Sequence, residues 1–214
     1  MPITTVVFDV GETLVDETRH WGEWADWMGV PRFTFFAAMG AVIERGWHHR
    51  TVFQLVRPGF DVEAAMRRRA AEGYRYRFAS GDFYPDALPC LTQLRRLGYR
   101  IGLAGNQPEE AEQALRAAGI DADFIASSAR WGVEKPSLAF FQRVVDAAGC
   151  APPAIAYVGD RLDNDVLPAR DIGMTAVFIR RGPWGCVHAG RPDVERAHIR
   201  LESLRDLADA LALS

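Results

Sequence analysis

Asp9, Lys135, Asp160, Asp163 and Asp165 are the side chains of this 214-residue sequence whose types and spacing point to chemistry. Asp9 ends the run Thr4-Thr5-Val6-Val7-Phe8, and the chain then turns on Gly11. A short apolar run closed by a turn signal predicts a buried central strand of a parallel sheet. Its terminal acid then stands at the carboxyl end, where open α/β sheets hold their ligands. An aspartate there either caps the following loop or is a reactive carboxylate. In Gly159-Asp160-Arg161-Leu162-Asp163-Asn164-Asp165, three acids fall within six residues just after Val158. Clustered carboxylates repel one another, so unless exposed they require a cation. All-oxygen ligands suit a hard ion, Mg²⁺ before Ca²⁺ or Mn²⁺. An acidic cap on a helix beginning at Asn164 would account for Asp163 but not for the whole group.

Lys135 is the only lysine, every other basic side chain being arginine. In such a chain a lone lysine points to a site that needs a compact, strongly hydrated ammonium; a chance survivor is the alternative. It lies in Gly132-Val133-Glu134-Lys135-Pro136, just before a helix predicted from Ser137. At the same sheet edge it would neutralise Asp9 and hold a transferred anionic group.

The elements that must position these groups alternate along the chain. Helices are predicted over 88–97, 108–118, 137–148, 164–172 and 202–213, and strands over 100–104, 123–126, 155–158 and 175–179. Gly98 stops the first of these helices, and Glu109-Glu110 suit the amino end of the second. The alternation predicts a parallel sheet with helices on both faces and right-handed crossovers. Between the first strand and this series, residues 16–83 carry helical periodicity and several breakers. They are expected to form a helical insert in a Rossmann-like α/β domain built from 1–15 and 84–214. Trp21, Trp24 and Trp27 share one helix side, read as a buried stripe, with an aromatic roof over a ligand as the alternative. Phe33, Phe35, Phe36 and Met39 are expected to be mostly core. Arg67-Arg68-Arg69 with Tyr74, Arg75, Tyr76 and Arg77 reads as a solvated face, or else as an anion-recruiting surface. His48-His49 lack an acid or cysteine at ligand spacing and read as surface or packing.

Composition narrows the classes. A net charge of -3 and a pI near 6.0 give no footprint for nucleic acid. No apolar run is long enough to span a bilayer. The first strand begins so early that no room for a signal peptide is expected. Cys90, Cys150 and Cys186 form no CxxC pair, so neither a zinc site nor a disulfide framework is expected. A reducing cytoplasm is the simplest location.

With four such stretches in order, the chain resembles the haloacid dehalogenase (HAD) superfamily over nearly its whole length. Asp9-Val10-Gly11-Glu12-Thr13-Leu14 is similar to that family's first motif, Leu103-Ala104-Gly105-Asn106 to its second, Lys135-Pro136 to its third and Gly159-Asp160 through Asp165 to its fourth. The insert matches the position of the family's helical C1-type cap. The resemblance implies that Asp9 is the nucleophile, forming an aspartyl-phosphate that water hydrolyses. It implies Mg²⁺ held by the Asp9 carboxylate, the carbonyl of Gly11 and Asp160, with Asp165 direct or through water. Lys135 would steady the nucleophile, and Lys135, Gly105 and Asn106 would contact the phosphoryl group.

Two positions depart from the family pattern. Gly11 stands where most of its phosphatases carry a second aspartate as general acid and base, and Gly105 where a serine or threonine usually binds phosphate. Glu12 is adjacent, but its side chain is expected to point elsewhere. The expected function is therefore a Mg²⁺-dependent phosphatase acting on a small phosphorylated metabolite, slow or restricted to good leaving groups. A non-catalytic binder of a phosphorylated ligand or a protein is the alternative. A 2-haloacid dehalogenase fits less well, because those enzymes have a bulky aromatic at the Gly11 position. A phosphonate hydrolase would need a cap lysine, which the insert lacks.

Overall fold

Thr5–Phe8 forms strand β1, buried along its whole length, as a β-branched run with no polar face must be. The structure, a computed structural model, describes residues 1–213. Arg100–Gly105, Phe124–Ser127, Ile155–Gly159, Thr175–Ile179 and Ile199–Leu201 form β2 to β6. All neighbouring strands pair in parallel, in the order β3-β2-β1-β4-β5-β6. From β1 the chain builds outward on one side through β2 and β3, then crosses to the other side at β4. The switch point, where such sheets open a ligand crevice, therefore lies between the carboxyl ends of β1 and β4.

The chain divides into two compact units, residues 1–16 with 77–214 and residues 17–76. The larger unit holds the sheet. Its apolar side chains form two clusters, one around Phe8, Leu94 and Leu103, the other around Phe140, Phe141 and Tyr157. Residues 77–83, assigned to the insert from sequence, group with the larger unit. Backbone bonds explain this: Asp16 N donates to Asp82 O at 2.7 Å and Tyr84 N to Leu14 O at 3.0 Å.

The smaller unit contains four helices, α1 (Thr18–Met28), α2 (Arg32–Glu44), α3 (Thr51–Val56) and α4 (Val62–Ala71). Trp24 is buried and meets Phe53 edge to face at 5.0 Å, and Trp21 stacks toward Phe35 at 6.3 Å, so the tryptophan stripe is packing. In α2, Phe35 and Met39 are buried, while Phe33 is 86% exposed. One expectation fails here. Arg69, expected on a solvated face, is buried with its guanidinium 4.1 Å from the Trp24 ring centroid and 4.0 Å from that of Tyr74. Two flanking π faces make that burial tolerable for a cation.

In the larger unit, the remaining helices are α5 (Ala87–Arg96), α6 (Glu110–Ala117), α7 (Ser128–Trp131), α8 (Leu138–Ala148), α9 (Leu167–Asp171), α10 (Gly182–His188) and α11 (Leu207–Ala212). Ser137 caps α8, its Oγ accepting from Ala139 N at 3.3 Å. The helix expected over 164–172 is present, beginning two residues earlier with a π-helical turn over Leu162–Val166 that runs into α9. The final helix is shorter than expected, while α10 and β6 were not foreseen.

Candidate active site

Because Phe8 pairs with Val158, the chain leaves β1 and β4 at the same level, and Asp9 N donates to Val158 O at 2.9 Å. Asp9, Asp160, Asp165 and Lys135 are all buried. One carboxylate oxygen from each acid lies within 4.8 Å of the other two. Lys135 Nζ donates to Asp9 Oδ1 at 2.5 Å and to Asp165 Oδ1 at 2.6 Å. Burial alone would lower the ammonium pKa, but Asp165 and Asp9 outweigh it and hold the pKa well above its ordinary value.

Lys135 contacts two of the three acids, and the Arg161 guanidinium acts on Asp160 and Asp165 from outside the cluster, yet burial and mutual repulsion still dominate. Burial raises the Asp160 pKa well above the carboxylate range, and Asp165, Asp9 and Glu12 push it further. Burial likewise brings Asp165 up to about 6 despite its lysine. Asp160 Oδ1 accepts from the Thr13 hydroxyl at 3.5 Å, while Oδ2 is buried with no hydrogen-bond donor. A buried carboxylate oxygen lacking a donor, beside two more acids, fits a hard cation. Lys135→Met is expected to destabilise the metal-free protein by roughly 3–5 kcal/mol. A denaturant midpoint that stays put at unchanged slope would show that the ammonium does not hold these carboxylates in place.

The supporting groups follow from local structure. Asp165 folds back onto β4 only because residue 159 is glycine: a Cβ there would lie 2.4 Å from Asp165 Cγ. Arg161 N donates to Asp165 Oδ2 at 3.1 Å. His188 Nδ1 accepts from Leu162 N at 3.0 Å, and burial lowers its pKa to about 4, which keeps the ring neutral as this acceptor. Asp163 is held by Arg161 through contacts of 3.1 and 2.8 Å, outside the three-acid cluster.

Asn106 pairs reciprocally with the Lys135 backbone: its Nδ2 donates to Lys135 O at 2.9 Å and its Oδ1 accepts from Lys135 N at 2.8 Å. Both amide groups are thereby engaged in fixing the lysine. Gly105 lies against Asp9, and a Cβ there would sit 2.7 Å from Asp9 Oδ1. Gly11 bridges to Val15 within a tight turn in which Leu14 N and Val15 N both donate to Val10 O. The Glu12 side chain is buried and accepts the Tyr84 hydroxyl at 2.6 Å on Oε2.

Tyr84, Asp86 and Arg181 went unnoticed in the sequence, where nothing links them to the turn after β1. Arg181 grips Asp86 through two contacts of 2.9 and 2.6 Å and donates to Thr13 O at 3.1 Å. Its guanidinium lies 4.5 Å from the Tyr84 ring centroid. Burial opposes the Asp86 charge, yet Arg181, Ser203 and Leu204 N bring its pKa down to about 2.

Sheet order and the acids at the switch point define a doubly wound α/β protein with a polar site on the β1–β4 edge. The model of the haloacid dehalogenase-like hydrolases matches residues 3–173, and the chain belongs to that family. A glyceraldehyde 3-phosphate phosphatase of Methanopyrus kandleri is 34% identical, over 78% of this chain and 77% of that one. A phosphoserine phosphatase of Thermus thermophilus is 32% identical, over 67% of this chain and 58% of its own. Among solved structures, a magnesium-bound HAD-hydrolase of Bacillus subtilis superposes with a TM-score of 0.72 at 17% identity, covering 99% of both chains.

Proposed function

We propose that this hydrolase is a phosphomonoesterase that cleaves a small phosphorylated metabolite through an aspartyl-phosphate on Asp9. The observation that carries the reading is the buried Asp9 carboxylate tied to Lys135 beside Asp160 and Asp165. Relatives described as phosphatases of small phosphate esters support it. A triose phosphate is the first substrate to try, with phosphoserine second.

Lys135 holds Asp9 Oδ1, which leaves the other oxygen for in-line attack on phosphorus. As the bond to Asp9 forms, the ester bond breaks and its electron pair leaves on the alcohol oxygen. Water then attacks the aspartyl-phosphate, releasing inorganic phosphate and restoring the carboxylate. The ammonium at 2.5 Å balances charge on Asp9 and faces the transferred oxygens in both halves. Asp9, Asp160, Asp165 and the Gly11 carbonyl would hold Mg²⁺. Bound there, the ion supplies charge neutralisation for the phosphoryl oxygens. The helical unit is assigned the part of a cap that sets substrate choice, and three free cysteines suit a reducing cytoplasm.

No side chain at Gly11 can protonate the leaving oxygen, and Glu12 is occupied by Tyr84. Rates should therefore fall steeply as leaving-group pKa rises. The test is Mg²⁺-dependent hydrolysis of esters running from acetyl phosphate and 4-nitrophenyl phosphate to glyceraldehyde 3-phosphate and phosphoserine. Turnover of the activated esters that is lost with chelator is the expected result. Magnesium binding with no turnover of any ester would sink the phosphatase reading in favour of a binding protein.

A further inference from the structure

Among the described residues, Glu12 is the single non-glycine residue in the left-handed region, with φ of 56°. A side chain bearing a Cβ adopts that backbone only where its surroundings impose it. Here two neighbours do so. The Tyr84 hydroxyl donates to Glu12 Oε2 at 2.6 Å. The backbone of Gly182 also closes onto the same side chain, where a Cβ would lie 2.3 Å from Oε2 and 2.7 Å from the Glu12 Cβ. Arg181, adjacent to that glycine, reaches back to Thr13 O at 3.1 Å and covers the Tyr84 ring. The turn carrying Gly11 is thus gripped at two successive residues by side chains that touch no reacting atom.

We propose that Tyr84 is a positioning residue: by anchoring Glu12 in its left-handed conformation it fixes the Gly11 carbonyl and Asp9 for metal and substrate. The inference rests on the role given above to Asp9 and Gly11. Its logic is specific, because the anchor is needed only while residue 12 carries a side chain. Glycine takes φ of 56° without penalty, so Glu12→Gly should make the Tyr84 hydroxyl dispensable.

A double-mutant cycle of Tyr84→Phe, Glu12→Gly and the pair tests this, with two readouts. One is the Mg²⁺ concentration giving half the metal-induced rise in Tm; the other is kcat and KM on 4-nitrophenyl phosphate. In the Glu12 background Tyr84→Phe is expected to raise the Mg²⁺ half-saturation and lower kcat by about tenfold each, with KM little changed. In the Glu12→Gly background the same substitution should change either by less than about twofold. Glu12→Ala, which keeps the Cβ but loses the anchor, should bind Mg²⁺ about tenfold less tightly than Glu12→Gly. Equal effects of Tyr84→Phe in both backgrounds, or none in either, would overturn the proposal. If the wild type cleaves no ester, the phosphatase reading fails by itself, and the Mg²⁺ half-saturations still decide the part played by Tyr84.

Discussion

Asp9→Asn is expected to lose hydrolysis of every phosphate ester by about 10⁴-fold or more while keeping its fold. The amide is nearly isosteric with the carboxylate but cannot form the acyl phosphate. An ordinary active-site variant leaves open whether chemistry or structure was lost. At this site charge separates the two. Three buried acids lie together, and Lys135 contacts two of them, Asp9 and Asp165. Removing the Asp9 charge relieves repulsion on Asp160 and leaves Lys135 paired with Asp165 at 2.6 Å. The metal-free variant should therefore melt no lower than the wild type, in keeping with the stability that polar active sites give up for function. If Asp9 is one of the proposed Mg²⁺ ligands, the variant's gain in Tm on adding Mg²⁺ should shrink, because that group has lost its charge. Turnover by Asp9→Asn on activated esters at a rate near that of wild type would remove Asp9 as the nucleophile.

The clustering of Asp9, Asp160, Asp165 and Lys135 at one sheet edge was legible in the sequence because its signals are local. Asp9 and Asp160 each end an apolar run that could only be a buried strand, and strand ends in a doubly wound sheet converge. Lys135 stood out by composition. What stayed hidden depends on contacts between distant residues or on runs too short to show a period. β6 has three residues, one of them an arginine, and α10 opens with Gly182-Pro183 and contains Gly185, all of which read as turn. Arg69 sits in a basic run that looks solvated, and only the fold brings Trp24 and Tyr74 to its two faces. Tyr84 lies 72 residues from Glu12, so no spacing rule could join them. The reciprocal bonds between the Asn106 side chain and the Lys135 backbone are likewise invisible to spacing.

Gly11→Asp is the variant expected to gain. A glycine cannot donate a proton to a departing alkoxide, and a positioned general acid is typically worth ~10²–10⁴-fold. That contribution matters most for poor leaving groups, since an activated phenolate or acetate departs without help. The substitution should raise kcat/KM on glyceraldehyde 3-phosphate and phosphoserine by about 10²-fold or more, with little change on acetyl phosphate. A plot of log rate against leaving-group pKa should accordingly flatten. Its backbone φ does not bar a side chain, because the left-handed conformation of this turn falls on Glu12 and not on Gly11. Charge sets the counterweight. A further acid beside this cluster, two of whose members Lys135 already holds, should lower metal-free stability and make the variant depend more on Mg²⁺. A folded, Mg²⁺-binding Gly11→Asp protein with the wild-type slope would show that proton transfer does not limit this enzyme at residue 11. The acid would then have to be sought elsewhere, by replacing other carboxylates one at a time and repeating the same plot.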